Sequence, residues 1–380
     1  MCQEKKSGGC AKWLHRFSLL FRVAGIGLAA VAAAAMATAS QCTVYAAYGA
    51  RPYTITYSDF HAFVYLVAAT SIATLLEAVA LFLSWWKKGK CKKGWRVLIM
   101  LLLGAVVPAL LYTSAGAAFA VGWDISYYLE PSGRHFSVCR SSVGDSFCGR
   151  VHVSMWLALG AAVAVSIAEF LTTLRWCHGC GSSKLQVNNR GSKSNKLACS
   201  SSSIDRRTLT MCNEEKKESK WATALSIAGR IAGMGLAVAA AALMATASQC
   251  TVYAAYGARP RTVTYSDFPP FVFLVGAASI AAFLEAIAIF LVVWKKGKDK
   301  TAKVLMPLLG VAVPALLYSA TGAALAAVSD MSYCSANGRR VSFCAGSAAA
   351  GGVAGSNFCS QVHISVYLSL AAAVAVSVAE

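Results

Sequence analysis

Six ionisable residues lie inside long apolar segments of this 380-residue chain. A charged side chain at such a depth in a bilayer is costly unless it is paired or reaches the interface. Two kinds of chemistry fit these residues: a proton or ion pathway, or ion pairs that fix helix packing. Transport sites usually combine polar residues at the membrane midplane with broken helices, whereas these segments are smooth and alanine-rich, which favours the packing role. The six residues are Arg22, Glu77, Glu169, Arg230, Glu285 and Glu380.

Four cysteines form a second group. Cys139 and Cys148 lie in the polar segment before one apolar stretch, and Cys344 and Cys359 lie in the matching segment of a later repeat. An extracellular location would favour one disulfide in each segment, because that compartment is oxidising. We therefore predict the pairs Cys139–Cys148 and Cys344–Cys359, a pattern in which Cys334 has no partner.

Cys177 and Cys180 form a C-x-x-C pattern just after an apolar stretch. No second pair follows at the spacing of a zinc ribbon. An inert reduced pair is the first interpretation. Palmitoylation comes next, ahead of zinc or redox chemistry, because both thiols would lie beside the membrane.

A glycine-rich run at Gly25, Gly27 and Ala30 formally matches a dinucleotide-binding pattern. That pattern requires a preceding strand, which the surrounding apolar segment does not provide. Small residues at this spacing instead allow membrane helices to approach closely.

No pattern in the chain indicates a nucleophile beside a base or a phosphate-binding loop, so we predict no enzymatic activity, no cofactor and no metal. The formal net charge of +19 would suggest a nucleic-acid partner in a soluble protein. However, only 13% of the residues are charged, compared with about 25% in soluble domains. Because the basic residues lie in islands between apolar stretches, we predict contact with the anionic inner leaflet and no nucleic-acid binding.

The elements that must position these residues occur twice. Three motifs recur almost unchanged: MATASQCTVY at 36–45 and 244–253, TYSDF at 56–60 and 264–268, and VPALLY at 107–112 and 313–318. A period of roughly 210 residues is too long for a solenoid and indicates a duplicated domain. We predict a first domain at 1–176, a disordered cytoplasmic linker at 177–220 and a second domain at 221–380, because the linker is polar and lacks hydrophobic periodicity.

Each repeat contains four apolar stretches near the length of about 20 residues that a transmembrane helix needs. They are rich in alanine, leucine and glycine, without the alternation of a membrane barrel. We predict an all-α membrane protein of two tandem four-helix bundles. The last span is expected to be truncated at Glu380, because its counterpart continues to residue 174. The predicted spans are 17–38, 62–86, 97–122, 151–174, 222–246, 270–294, 302–328 and 362–380.

Basic residues predict the orientation of these spans. The N-terminus, the connection at 87–96 and the segment after residue 174 are strongly basic, whereas the other two connections of the first repeat are nearly neutral. By the positive-inside rule, both ends of each four-helix unit lie in the cytoplasm. A cleaved signal peptide is disfavoured because the first apolar stretch is too long and recurs inside the chain.

Several motifs follow one another in a characteristic order. An arginine lies in the first span, TYSDF leads into the second, VPALLYTSAGAA lies at 107–118 in the third, and Phe147-Cys148 precedes the fourth. This order closely resembles the plant Casparian strip membrane protein-like (CASP-like) family, four-helix proteins distantly akin to MARVEL domains. The likeness covers both repeats almost end to end, apart from the linker and the tails.

The resemblance implies a multi-pass scaffold of the plant plasma membrane. Such proteins self-associate as homodimers, as heterodimers with other CASP-like proteins and as larger arrays. The best-known members position lignin-building enzymes, which implies extracellular cell-wall enzymes as partners. The chain lacks the first-loop signature of the true Casparian strip members, so a role in lignin deposition does not carry over. A channel or transporter that uses the intramembrane Arg and Glu residues is the alternative.

The family typically pairs the arginine of the first span with an aspartate in the third. This chain has Gly104 at the equivalent position and Gly310 in the second copy. We expect the glycine to let the first and third spans pack closely. A buried arginine seldom remains unpaired, so glutamates of other spans should replace the aspartate. The predicted pairs are Arg22 with Glu169 first and Glu77 second, and Arg230 with Glu380 or Glu285.

Overall fold

The fold is taken from a computed structural model of the chain. It describes residues 7–39, 42–44, 53–85, 93–122, 126–129, 134–137, 145–191, 206–247, 250–252, 261–295, 300–330, 332–334, 340–342 and 356–379.

Eight long helices account for most of the described residues. Those of the first unit are α1 (Ser7–Ala37), α2 (His61–Trp85), α3 (Lys93–Gly122) and α4 (Asp145–Gly191). Those of the second unit are α5 (Arg206–Ala245), α6 (Pro269–Lys295), α7 (Lys300–Asp330) and α8 (Ser356–Val378). Each contains a segment long and apolar enough to cross a membrane, which confirms the eight predicted spans and their division into two sets of four.

The helices of each unit pack in the same cyclic order. α1 packs against α2 and α4, and α3 packs against the same two helices from the other side. The second unit repeats this arrangement, with α5 and α7 each in contact with α6 and α8. Pro108 of α3 and Pro307 and Pro314 of α7 lie inside helices, which neighbouring helices and local adjustments make tolerable in membrane spans.

Within the described ranges, four antiparallel hairpins lie between spans at one end of the bundles. They pair β1 (Cys42–Val44) with β2 (Tyr53–Ile55), β3 (Ser126–Leu129) with β4 (Arg134–Ser137), β5 (Cys250–Val252) with β6 (Arg261–Val263), and β7 (Ser332–Cys334) with β8 (Arg340–Ser342). These strands are not predictable from the sequence, because three or four residues carry too little alternation to be recognised. We call this the hairpin end, and the opposite end, where α3 begins, the basic end.

The TYSDF motif forms the entry to α2. Tyr57–Asp59 is a 3-10 turn, and Asp59 Oδ2 accepts hydrogen bonds from the Thr56 backbone N–H at 2.7 Å and from the Thr56 hydroxyl at 3.1 Å. The aromatic ring of Phe60 then packs against Phe63 in the first turn of α2, with 5.2 Å between ring centroids. The motif therefore fixes the direction in which the chain enters the second span.

The segment at 177–220 differs from its prediction. Sequence analysis expected it to be disordered, yet α4 continues to Gly191 and α5 begins at Arg206. Extension of a helix is easy once its first turns exist, because each further residue adds a hydrogen bond without a new nucleation step. Residues 192–205 lie outside the described ranges.

Apolar clusters fill the hairpin half of each unit. In the first unit the cluster includes Met36, Phe63, Phe147 and Met155, drawn from α1, α2 and α4. Its counterpart in the second unit contains Met244, Phe271, Phe358 and Val362. Because lipid is as apolar as these side chains, close packing rather than burial from water must hold the helices together.

The two units contact each other mainly through α3 and α7. Val107 and Tyr112 of α3 belong to the same apolar cluster as Val313 and Tyr318 of α7. These are corresponding residues of the two repeats, so the contact joins equivalent faces.

Candidate functional site: buried ion pairs

Arg22 of α1 lies between two glutamates from neighbouring helices. Its Nη1 donates to Oε2 of Glu77 on α2 at 2.8 Å, and its Nη2 donates to Oε1 of Glu169 on α4. Exposure of the side chains is 14% for Arg22, 2% for Glu77 and 24% for Glu169. Both predicted contacts of Arg22 are confirmed, so one arginine links three helices of the first unit. The contacts do not establish the predicted precedence of Glu169 over Glu77.

The charges of this group do not cancel. Two ionised carboxylates beside a single guanidinium leave one formal negative charge in a span. Moreover, Oε1 of Glu77 is buried and has no hydrogen-bond partner among the described residues. A buried charge that is only partly satisfied is costly, so removal of Arg22 would leave both carboxylates without their cation.

Arg230 of α5 makes the counterpart of the contact between Arg22 and Glu77. Its Nη1 donates to both carboxylate oxygens of Glu285 on α6, at 3.2 and 3.1 Å. The side chains are 7% and 1% exposed. The predicted Arg230–Glu285 pair is confirmed, while the alternative partner Glu380 lies outside the described residues.

Gly104 of α3 provides space for Glu169. A Cβ built on Gly104 would have the Glu169 carboxylate as its nearest neighbour, at 3.2–3.3 Å. The expectation that this glycine allows the first and third spans to pack closely is therefore wrong: the space beside it holds the Glu169 carboxylate rather than α1. The Glu169 carboxylate of the fourth span therefore occupies the place beside the glycine of the third span.

Hydroxyl groups fasten α1 to α4 on either side of Arg22. Ser18 donates to the Ala168 carbonyl at 3.1 Å, and Ser154 donates to the Ala32 carbonyl at 2.7 Å. The second unit repeats both bonds, from Ser226 to Ala379 at 2.5 Å and from Ser365 to Ala240 at 2.7 Å. Sequence analysis did not identify these serines, although their recurrence at matching positions of two alanine-rich repeats is a recognisable signal.

The glycine run in α1 has one packing role. A Cβ on Gly25 would overlap the Val165 side chain of α4 at 2.8 Å, so this glycine allows close approach as predicted. Gly27 has nothing within 4 Å of such a Cβ. The prediction is therefore wrong for Gly27, because a spacing of two residues places it on a different face of the helix.

A cavity of about 400 Å³ lies between the two units beside the ion pairs. Glu169 of the first unit and Arg230 of the second both contribute to its walls. Corresponding residues line the two sides, including Tyr112 with Tyr318, whose hydroxyls are bonded to Ser166 and Ser377 at 3.2 and 3.3 Å. The cavity accounts for the partial exposure of Glu169.

The cysteine predictions are only partly covered by the structure. Cys148 and Cys359 are buried near the starts of α4 and α8, with 6% and 8% exposure. Cys139 and Cys344 lie outside the described residues, so both disulfides stay predictions. Cys177 and Cys180 fall in the extension of α4, and palmitoylation there is untested.

Two parts of the chain match the same domain. The Casparian strip membrane protein domain covers residues 11–164 and again residues 219–375. The chain belongs to this family. Both repeats of the CASP domain therefore include the arginine-bearing first helix and the hairpin-connected spans described above.

Known CASP-like proteins resemble one repeat at a time. The chain is 84% identical over 174 residues to CASP-like protein 1U4 of Sorghum bicolor, which is 45% of this chain and 86% of that protein. Identity to CASP-like protein 1U3 of Oryza sativa subsp. japonica is 60% over 173 residues, 45% of this chain and 81% of the relative. Casparian strip membrane protein 2 of Medicago truncatula is 30% identical over 139 residues, 37% of this chain and 70% of the relative. These relatives therefore have about the length of a single four-helix unit. No solved structure matches the chain.

Proposed function

We propose that this chain is a multi-pass scaffold of the plant plasma membrane that self-associates laterally, with its termini in the cytoplasm. In this role it organises a membrane domain, and its hairpin end faces extracellular cell-wall-modifying partners. Its basic end contacts the anionic lipids of the inner leaflet. Homodimers, and heterodimers with other CASP-like proteins, are the units of assembly.

The observation that carries this proposal is the packing of one four-helix unit on another. α3 and α7 meet through equivalent apolar faces that share one core cluster. This contact supports side-by-side pairing of four-helix units, because helix association in a membrane depends on close packing, and such a pair would be the unit from which larger assemblies are built. Membership of the CASP family supports the same role.

The ion pairs support a structural role in preference to transport. They bind α1 to α2 and α4, and α5 to α6. Between this layer and the hairpin end, the described core of the first unit is filled by apolar side chains such as Phe63 and Phe147, both at most 1% exposed. A polar path through the unit would have to cross this cluster.

The partly satisfied Glu77 carboxylate, and the cavity whose walls include Glu169 and Arg230, favour the alternative, a channel or transporter. Two measurements on the full chain separate the candidates. Fluorescence recovery after photobleaching in plant plasma membrane should show a largely immobile fraction, compared with a freely diffusing membrane marker. Reconstituted vesicles with a pH-sensitive dye should show no proton flux beyond that of empty vesicles. Rapid recovery together with flux that Glu77→Gln abolishes would establish the alternative.

A further inference from the structure

Two glycines mark the closest approach of α3 and α7. A Cβ built on Gly116 of α3 would overlap the backbone carbonyl of Ser319 on α7. A Cβ built on Gly322 of α7 would overlap the backbone carbonyl of Thr113 on α3. At both places the neighbour is backbone, which cannot turn away as a flexible side chain can. Only glycine therefore permits this distance between the helices.

The two contacts are the same contact made twice. Gly116 and Gly322 occupy the same position of the repeat, four residues after Tyr112 and Tyr318, and Thr113 corresponds to Ser319 in the same way. In each unit the glycine lies against a backbone carbonyl of the other unit. The two carbonyls belong to Ser319 and Thr113, which are themselves equivalent residues of the repeats. A face that meets its own equivalent in this reciprocal manner forms an isologous, two-fold contact.

The surroundings of the glycines suit a contact made in lipid. Ala117 of α3 and Ala326 of α7 form a small buried cluster with Ala62. Small residues let backbones approach so that dispersion and Cα–H···O contacts replace side-chain interdigitation. Towards the basic end the two helices separate around the cavity that Gly104 and Gly310 border, so the glycine contacts form the tightest part of the interface.

We infer that the α3 face around Gly116 is a self-complementary pairing surface whose partner is a second four-helix unit of this domain. In this chain the second repeat occupies the surface through α7. In relatives of single-unit length, the matching face would join two separate chains. This inference deepens the proposed self-association, but it stands on a contact that can be tested without reference to membrane mobility.

A consequence concerns the size of assemblies. An isologous contact joins only two units, because each unit contributes the same face and that face is then buried against its partner. The two units of one chain are tethered, which gives them a high effective concentration for each other. Lateral arrays of this chain must therefore grow through a different surface, and the chain itself behaves as one closed pair.

The test uses the full chain with a protease site inserted at 192–205 and a different tag at each end. After purification in mild detergent, the chain is cut and the amino-terminal fragment is captured. The carboxy-terminal fragment should remain bound in the unmodified chain. Gly116→Leu combined with Gly322→Leu should reduce its retention by about tenfold or more, because overpacking forces the helices apart.

The matched control combines Gly27→Leu with Gly235→Leu. These glycines also occupy equivalent positions of the repeats, but nothing lies within 4 Å of a Cβ on either of them, so retention should equal that of the unmodified chain. Gly116→Ala and Gly322→Ala, made singly, should weaken retention to similar extents because the contact is two-fold. Their helix content by circular dichroism should be unchanged, which separates lost pairing from lost folding.

A second arm tests whether the surface accepts another copy of the same unit. Two cut preparations with different amino-terminal tags are mixed, and the amino-terminal fragments should co-purify with each other as well as with the carboxy-terminal fragments. Gly116→Leu should abolish this exchange. Fragments that separate as soon as the chain is cut, or retention unaffected by the leucine variants, would overturn the inference. An immobile fraction in the plasma membrane would in that case still support the scaffold, with another surface responsible.

Discussion

Arg22 of α1 and Glu77 of α2 form an ion pair of 2.8 Å, and Arg230 and Glu285 form its counterpart at the same sequence separation in the second repeat. In both pairs the glutamate is almost completely buried, at 2% and 1% exposure. Each repeat thus has the same ion pair between its first and second spans. In the first repeat Arg22 also contacts Glu169.

We predict strong coupling between Arg22 and Glu77. Arg22→Leu in the full chain should lower stability by about 3–5 kcal/mol, because it leaves buried carboxylates without their cation. The double variant Arg22→Leu with Glu77→Leu should lose much less free energy of unfolding than the two single variants lose in sum. The reason is that neither charge of that pair remains unpaired. Unfolding in mixed micelles of increasing denaturing detergent provides the measurement.

Arg16→Leu is the control for this cycle, because Arg16 lies on the same helix and is exposed. Its effect should be small and should add to that of Glu77→Leu. If Arg22→Leu and Glu77→Leu were additive as well, the pair would have no energetic role.

A disulfide in each hairpin-end segment is the second prediction. Cys148 and Cys359 are buried near the starts of α4 and α8, and a bridge to Cys139 or Cys344 would fasten the preceding connection to the helix. Closing such short loops should stabilise each by about 2–3 kcal/mol. Peptide mapping of alkylated, non-reduced protein from the plasma membrane should detect both linked pairs. Alkylation of all four cysteines would contradict the prediction.

The third prediction concerns orientation. An epitope inserted at 130–133, between β3 and β4, should be detected by antibody on intact protoplasts. The same epitope inserted at 87–92, between α2 and α3, should be detected only after permeabilisation, because the flanking lysines retain that connection in the cytoplasm. Equal detection of both epitopes after permeabilisation controls for expression, and the reverse pattern on intact cells would invert the topology.

Sequence reasoning predicted the spans and the partners of Arg22 for a simple physical reason. A regular helix rises about 1.5 Å per residue, so positions in successive spans can be assigned to layers. By this count Arg22 and Glu169 lie at a similar depth, and Glu77 lies somewhat deeper. The length and apolar content of each stretch similarly determine where a membrane helix can lie.

The faces of the helices could not be predicted in the same way. Gly27 and Gly116 both lie in alanine-rich spans, yet one faces open space and the other touches a neighbouring backbone. In a soluble protein, polar residues would mark the outer face, but lipid removes that contrast. The α3–α7 contact therefore became visible only in three dimensions.

The last prediction concerns variants in which the acidic partner of Arg22 is placed on the third span instead of the fourth. Gly104→Asp should destabilise the full chain, because its side chain would enter the space of the Glu169 carboxylate, 3.2 Å from a Cβ at that position. It would also place a third carboxylate near one arginine. Glu169→Ala should be mildly destabilising, since Arg22 keeps Glu77 as a partner.

The combination Gly104→Asp with Glu169→Ala should recover most of the lost stability, because the new aspartate enters the vacated space and can reach Arg22. Detergent unfolding of all three variants measures the recovery, and Gly27→Ala, which adds a Cβ to open space, is the control for adding a side chain. A double variant less stable than Gly104→Asp alone would show that Glu169 stabilises the unit by another route. Recovery would show that the acidic partner of Arg22 can be supplied from either the third or the fourth span.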